Sequence, residues 1–232
     1  MARPDKITAW KTFIVWATIP STIQWLQRER ESAKSVDSPY KTLRRGINST
    51  IVLLSASCIE GFLVECLQAF TSRLQLKDTF HNRLSLDYLE RVSAATYAKI
   101  PGFFRAAAGK SLDELLENQQ IHDQVNILFT FRNGLAHGRS AEYRSEDFSG
   151  RREFKAHGQY REVEKYLIKN KLISGNEIGR QDLFSDRIAD HFASLVEPYV
   201  RRVASVLPKE QSETMSDLVE MAFREKSKLK NK

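Results

Sequence analysis

Three side chains that could do chemistry together stand in the stretch ILFTFRNGLAHGRS, residues 127–140: Arg132, Asn133 and His137. Arginine is a permanent cation with a fork of donors suited to phosphate. Histidine titrates near neutral pH, and asparagine can fix an imidazole or bind substrate. The apolar residues before them predict a helix, on which Asn133 and His137, four apart, share a face and can touch. Arg132 is five from His137 and lies about 140° away around an ideal helix. Either its long side chain wraps back or the two meet across a subunit interface. Gly134 and Gly138 leave room for a close neighbour, or for the helix to end. Such a set could make the 2′-hydroxyl of RNA attack its own neighbouring phosphate. One proton is taken, one is given, charge is stabilised on a phosphorane, and no metal is required. The ordinary alternative is a histidine that caps a helix end or packs there.

A chain of 232 residues is long enough to bury a core, as one large domain or two small ones. With 41% hydrophobic and 28% charged residues it reads as globular, and six prolines and ten glycines argue against a loop-rich or all-β chain. The formal charge of +7 and a pI near 9.4 fit a nucleic-acid partner without requiring one. Cys58 and Cys66 fall eight apart in one helical pattern, roughly 12 Å along the axis, too far for a disulfide. The expectation is a reduced, cytoplasmic chain. The broken apolar stretch at the N-terminus lacks a signal-peptide core, and no segment is expected to span a membrane.

Helical spacing predicts one or two helices over 5–34, with Pro20 as a break or restart, and a long helix from Tyr40 to about Leu76 with Pro39 in its first turn. Between Ile51 and Leu67 that helix is apolar almost all round, so it is expected at the centre. Ser85 can cap a helix to about Ala98, PGFF at 101–104 opens a short one, and SLDE at 111–114 is a capping box. Ile121, Val125, Leu128 and Leu135 stripe the helix that carries Arg132. The polar segment RSAEYRSEDFSGRREFKAHGQ reads as an exposed loop or small insertion. Two more helices follow, the second kinked or split at Pro198, and residues from Lys209 can add a last one. No segment alternates long enough to predict a strand. The fold class is all-α, an elaborated helical bundle: an extension over 1–36, a main domain over 37–208 with an insertion at 139–180, and a basic tail over 209–232.

FRNGLAHG resembles the signature of the HEPN superfamily, R-N-x-x-x-H in its commonest ribonuclease form, matched here by Arg132, Asn133 and His137. Upstream, IVLLSASCIEGFLVECL is similar to that family's long apolar helix, with Ser55, Glu60 and Phe62 at its small, acidic and aromatic positions. The likeness covers about residues 40–140 and a closing helix near 183–206. It implies a helical bundle that dimerises so that two motifs face one cleft. It further implies a metal-independent endoribonuclease leaving a cyclic phosphate and a 5′-hydroxyl, often a toxin or defence effector. His137 would then be the acid/base, Arg132 the transition-state cation and Asn133 the polar helper. One toxin subgroup carries tyrosine two residues after the histidine as a target of adenylylation. Here Arg139 stands there, so that control is not expected.

Glu60 and Glu65 sit in a helix with almost no polar face, where an unpaired carboxylate costs several kcal/mol. Glu60 is expected to pair with Arg132 and aim it, or else to contact another basic residue at a wet interface. Arg139, Arg144, Arg151 and Arg152, with Lys155, follow the motif where RNA could leave the cleft, though a solvated loop explains them equally well. No cofactor and no metal are expected, since His81, His122 and His191 lack ligand spacing. The partners expected are an RNA substrate, a second copy with Phe131 and Leu135 at or near the interface, and an antitoxin or defence-system protein. The rival reading is a catalytically silent HEPN module that binds RNA, a nucleotide or a protein. A third is a helical partner-binding protein with a chance motif.

Overall fold

A stretch of helix that is apolar almost all round has one stable place in a bundle, the middle. α2 (Pro39–Thr71) occupies it with its residues 51–67, while its first turns carry exposed polar side chains. The computed structural model describes residues 15–32, 39–71, 87–88, 90–92, 94–117, 119–137, 143–148, 151–156, 160–173 and 183–224. Ahead of α2 come a 3-10 turn at Val15–Thr18 and α1 (Ile19–Ser32), with Pro20 in the first turn, where its missing N–H costs nothing. After it come a 3-10 turn at Tyr97–Lys99, α3 (Ile100–Ala108), α4 (Leu112–Leu116) and α5 (Gln119–Ala136). The strands β1 (Tyr143–Phe148) and β2 (Arg151–Ala156) precede α6 (Tyr160–Lys169), α7 (Asp186–Val206) and α8 (Lys209–Phe223). The fold is an all-α helical bundle bearing one hairpin.

Around α2 pack α1, α5 and α7, and α8 covers α7. Ile51, Ile59, Phe62, Leu63 and Leu67 are fully buried, each contributing about 1.5–3 kcal/mol on removal from water. Over Thr42–Phe70 this helix is long and apolar enough to cross a bilayer by length and composition, contrary to the expectation that no segment reaches that size. The same composition follows from a central position, and 56% of its most apolar window is buried inside the bundle. Cys58 and Cys66 are free and buried there. α7 turns Phe192, Val196, Tyr199 and Val203 inward, at three- and four-residue steps. It runs unbroken through Pro198, neither split nor ended, because that proline lies on the exposed side, where water can take up the carbonyl it frees. Val203, Ala204 and Leu207 are buried, although RVASVLPKE reads as surface.

Where a loop was expected after the motif, β1 and β2 form an antiparallel hairpin with Tyr143 opposite Ala156 and Phe148 opposite Arg151. Neither row of facing positions is apolar, so no period-two pattern marks the strands. The two-residue connection alone hinted at them.

Two contacts tie the N-terminal elements down. Arg30 of α1 is 2% exposed yet charged. It donates to both oxygens of Asp190 at 2.8 Å and to Asn48 Oδ1 at 2.9 Å, with Asp186 at 3.7 Å. The other contact is steric. A Cβ on Gly61 would lie 2.9 Å from the Cβ of Trp16, whose ring meets Phe62 edge-on at 5.0 Å. Gly61→Ala gains helix propensity but must push a main-chain-anchored carbon away, so a net loss of about 1–2 kcal/mol is expected. Urea unfolding at constant m-value measures it; an unchanged or higher midpoint would mean that Trp16 does not seat as described.

Candidate functional site

The stripe of α5 that meets α2 carries Asn126, Phe129 and Arg132, spaced at i, i+3 and i+6. Arg132 Nη2 donates to Glu60 Oε2 at 2.9 Å, so the expected pairing is present. The other carboxylate oxygen, Oε1, accepts from the backbone N–H of Tyr97 at 2.9 Å. The acid that aims the arginine is therefore itself held from a second element. Arg132 Nη1 donates to Asn133 Oδ1 at 3.0 Å. Those two bonds use two of the five guanidinium N–H groups, and among the described residues the other three have no acceptor.

His137 is exposed at the end of α5, its backbone N–H donating to Asn133 O at 3.3 Å. Among the described residues no hydrogen bond joins its ring to the Asn133 side chain, which serves Arg132 instead. Thus Asn133 and His137 share a helical turn but not a side-chain contact. Their exposure lets both reach a strand of RNA or a second subunit.

Tyr97 is the residue that sequence reading missed. Its ring stacks on Phe129 with centroids 3.5 Å apart and planes 5° from parallel, and its hydroxyl donates to Asn126 Oδ1 at 3.0 Å. Burial pushes its phenol well above the ordinary tyrosine range. The segment SAATYAKIP has no motif and no periodicity, so nothing short of the packing identifies it.

Behind Tyr97 lies Tyr199, whose hydroxyl is 3.4 Å from His122 Nδ1, while His122 Nε2 meets Asp113 Oδ1 at 2.6 Å. Burial lowers the pKa of His122, against the pull of Asp113 and Asp123, and burial alone lowers that of His191. A depressed imidazole pKa means that the unfolded chain takes up the proton first. Stability from these groups is full above about pH 6.5, the unfolded value, and is lost as pH falls below it. Urea midpoints should therefore fall between about pH 7 and 5. His122→Gln, which keeps a donor for Asp113 but cannot titrate, should flatten that slope; an unchanged slope would remove His122 from the account.

Several expected site residues lie elsewhere. Phe131 is fully buried within the subunit against Tyr160, Phe184 and Phe192, so it is unavailable to an interface. Gly134 is also buried, and Leu135 packs against the core. Phe131 and Leu135 are apolar because they face the subunit's own core, not because they line a contact surface. Arg139 and Gly138 lie outside the described residues, as do Ser85 and His81. Arg144, Arg151 and Arg152 fall in the hairpin, whose register puts positions 144 and 151 in one row and 152 in the other. They do not form one basic row. Glu65 is half-buried, with no partner among the described residues, and burial raises its pKa.

Compared with family models, with curated proteins and with solved structures, the chain finds no match. The resemblance to the HEPN signature thus rests on the sequence alone.

Proposed function

We propose that the protein is a metal-independent endoribonuclease of HEPN type, working in the cytoplasm as a toxin or defence effector. The observation that carries this reading is the doubly held Glu60, which fixes Arg132 about one and a half helical turns from an exposed His137. The backbone donor satisfies the second oxygen of a half-buried carboxylate and at the same time holds its orientation. Here the donor fixes the direction of the guanidinium as well as its charge. His137 moves the proton of the attacking 2′-hydroxyl or of the leaving 5′-oxygen, Arg132 stabilises the phosphorane, and Asn133 is the polar helper that accepts from Arg132.

One imidazole cannot comfortably serve both sides of an in-line displacement, so the active form is a homodimer whose two motifs line one cleft. The surface available for this is the exposed end of α5, since Phe131 belongs to the core. Incubation of pure protein with mixed RNA in chelator, beside His137→Ala, tests the reading. A second reading follows from the same ion pair: in a silent HEPN module Arg132 is a structural cation, and the protein binds RNA, a nucleotide or a partner protein. RNA that is bound but never cut would select it. A search for co-purifying antitoxin or defence proteins addresses the partner.

A further inference from the structure

An arginine-lined pocket opens where α2 and α7 begin, and no residue of the motif lines it. It encloses about 370 Å³, and Arg44, Arg45 and Arg187 line it together with Asp186. Its one acid is already committed. Asp186 accepts from Arg44 Nε at 2.8 Å and from Asn48 Nδ2 at 3.0 Å, with Arg30 at 3.7 Å, and these neighbours hold its carboxyl at about 2. Arg30 in turn is matched by Asp190. Arg45 makes a contact of its own, so the cation counted as uncommitted is Arg187, which is exposed and has no partner among the described residues. Ser185 also lines the cavity, at the N-cap position of α7, where a serine oxygen ordinarily bonds the helix end; here it makes no such bond. The walls therefore offer an anion cationic side chains and an unspent hydroxyl, in a space that fits a phosphate with its sugar.

The cavity lies at the motif's end of the bundle. α5 runs antiparallel to α2 and α7, because its start meets Tyr199 through His122 while Arg132 meets Glu60 and Phe131 meets Phe184. From Glu60 back to Asn48 is roughly 18 Å of helix, and from Arg132 forward to His137 about 7.5 Å in the same direction. The axial offset left between His137 and the cavity is about 10 Å, short beside the several nucleotides a single-strand groove typically tracks. Phe184 links the two regions, since it lines the cavity and its ring stacks on Phe131 of α5.

We infer that this cavity is a phosphate subsite, holding the backbone of an RNA strand that extends beyond His137. The inference rests on the RNA reading of the motif, but not on cleavage. It is tested by fluorescence anisotropy with a labelled single-stranded RNA of mixed sequence, in a His137→Ala background that prevents turnover. Arg45→Gln with Arg187→Gln removes two exposed cations without touching the Arg30 and Arg44 pairs. Affinity should fall about tenfold at low salt, and the salt slope should shrink by about 1.4, roughly 0.7 for each lost phosphate contact. Lys110→Gln with Lys209→Gln, an equal charge loss at the other end, should change affinity less than about twofold.

Equal losses in the two pairs, or none in the cavity pair, would overturn the subsite. Titration with adenosine monophosphate separates the sources of the phosphate. Micromolar binding of the mononucleotide, abolished by the cavity pair while RNA binding is untouched, would replace the RNA strand with a free nucleotide and overturn the inference. RNA held there but left intact by the unmutated chain would retire the nuclease and keep the subsite. Cutting whose KM ignores the cavity pair would do the reverse.

Discussion

His137→Ala and Arg132→Ala are each expected to abolish RNA cleavage while leaving a folded protein. Loss of one general acid–base role typically lowers a rate by about a hundred- to ten-thousand-fold, and a missing phosphorane cation acts on the same scale. The two variants differ in their effect on stability. His137 is exposed and its ring bonds nothing among the described residues, so its removal should change unfolding free energy by less than about 0.5 kcal/mol. Arg132→Ala leaves Glu60 with the Tyr97 N–H and partial access to water, and a loss of about 1–3 kcal/mol is expected. Far-UV circular dichroism and urea titration separate folding from chemistry. Cleavage at wild-type rate by both variants would show that the site has been assigned to the wrong residues.

The second large effect concerns the substrate. An RNA carrying one 2′-deoxyribose at the cut position should be inert, because the attacking oxygen is then absent. The all-ribose strand should be cut equally well in EDTA and leave a cyclic phosphate. These outcomes follow from the proposed roles, in which the Arg132 cation would meet the developing charge and the His137 imidazole at the helix end would move the proton. Mass spectrometry of the products reads the result. A cut deoxy substrate, or activity that vanishes in chelator and returns with a divalent ion, would sink the transesterification.

Much of the fold could be read along the chain, and for identifiable reasons. α2 betrays its central place because it is apolar almost all round between Ile51 and Leu67. Ser111 and Glu114 announce a helix start through a local bond, and that bond forms, with Ser111 N donating to Glu114 Oε2 at 2.6 Å and Glu114 N to Ser111 Oγ at 3.4 Å. The Glu60–Arg132 pair was legible too, since a carboxylate in an apolar helix demands a cation and the motif supplies one. What escaped depends on contacts distant in sequence. Tyr97 joins the site through its backbone, which carries no residue code. Arg30 looks like any surface arginine until α7 covers it. The hairpin has polar positions in both rows, so a half-buried alternation was never there to find.

The Arg30 knot has a consequence for how the chain is made. Its guanidinium is completed by Asp190, 160 residues further along. At about 5–20 residues per second a ribosome needs about 8–30 s to supply that carboxylate. Until then α1 carries a cation with no charge to meet, and the apolar α2 has no α7 to lie against. During synthesis, then, the most hydrophobic helix of the protein stands open. Truncated or stalled chains ending before α7 should be the species that chaperones hold and proteases remove.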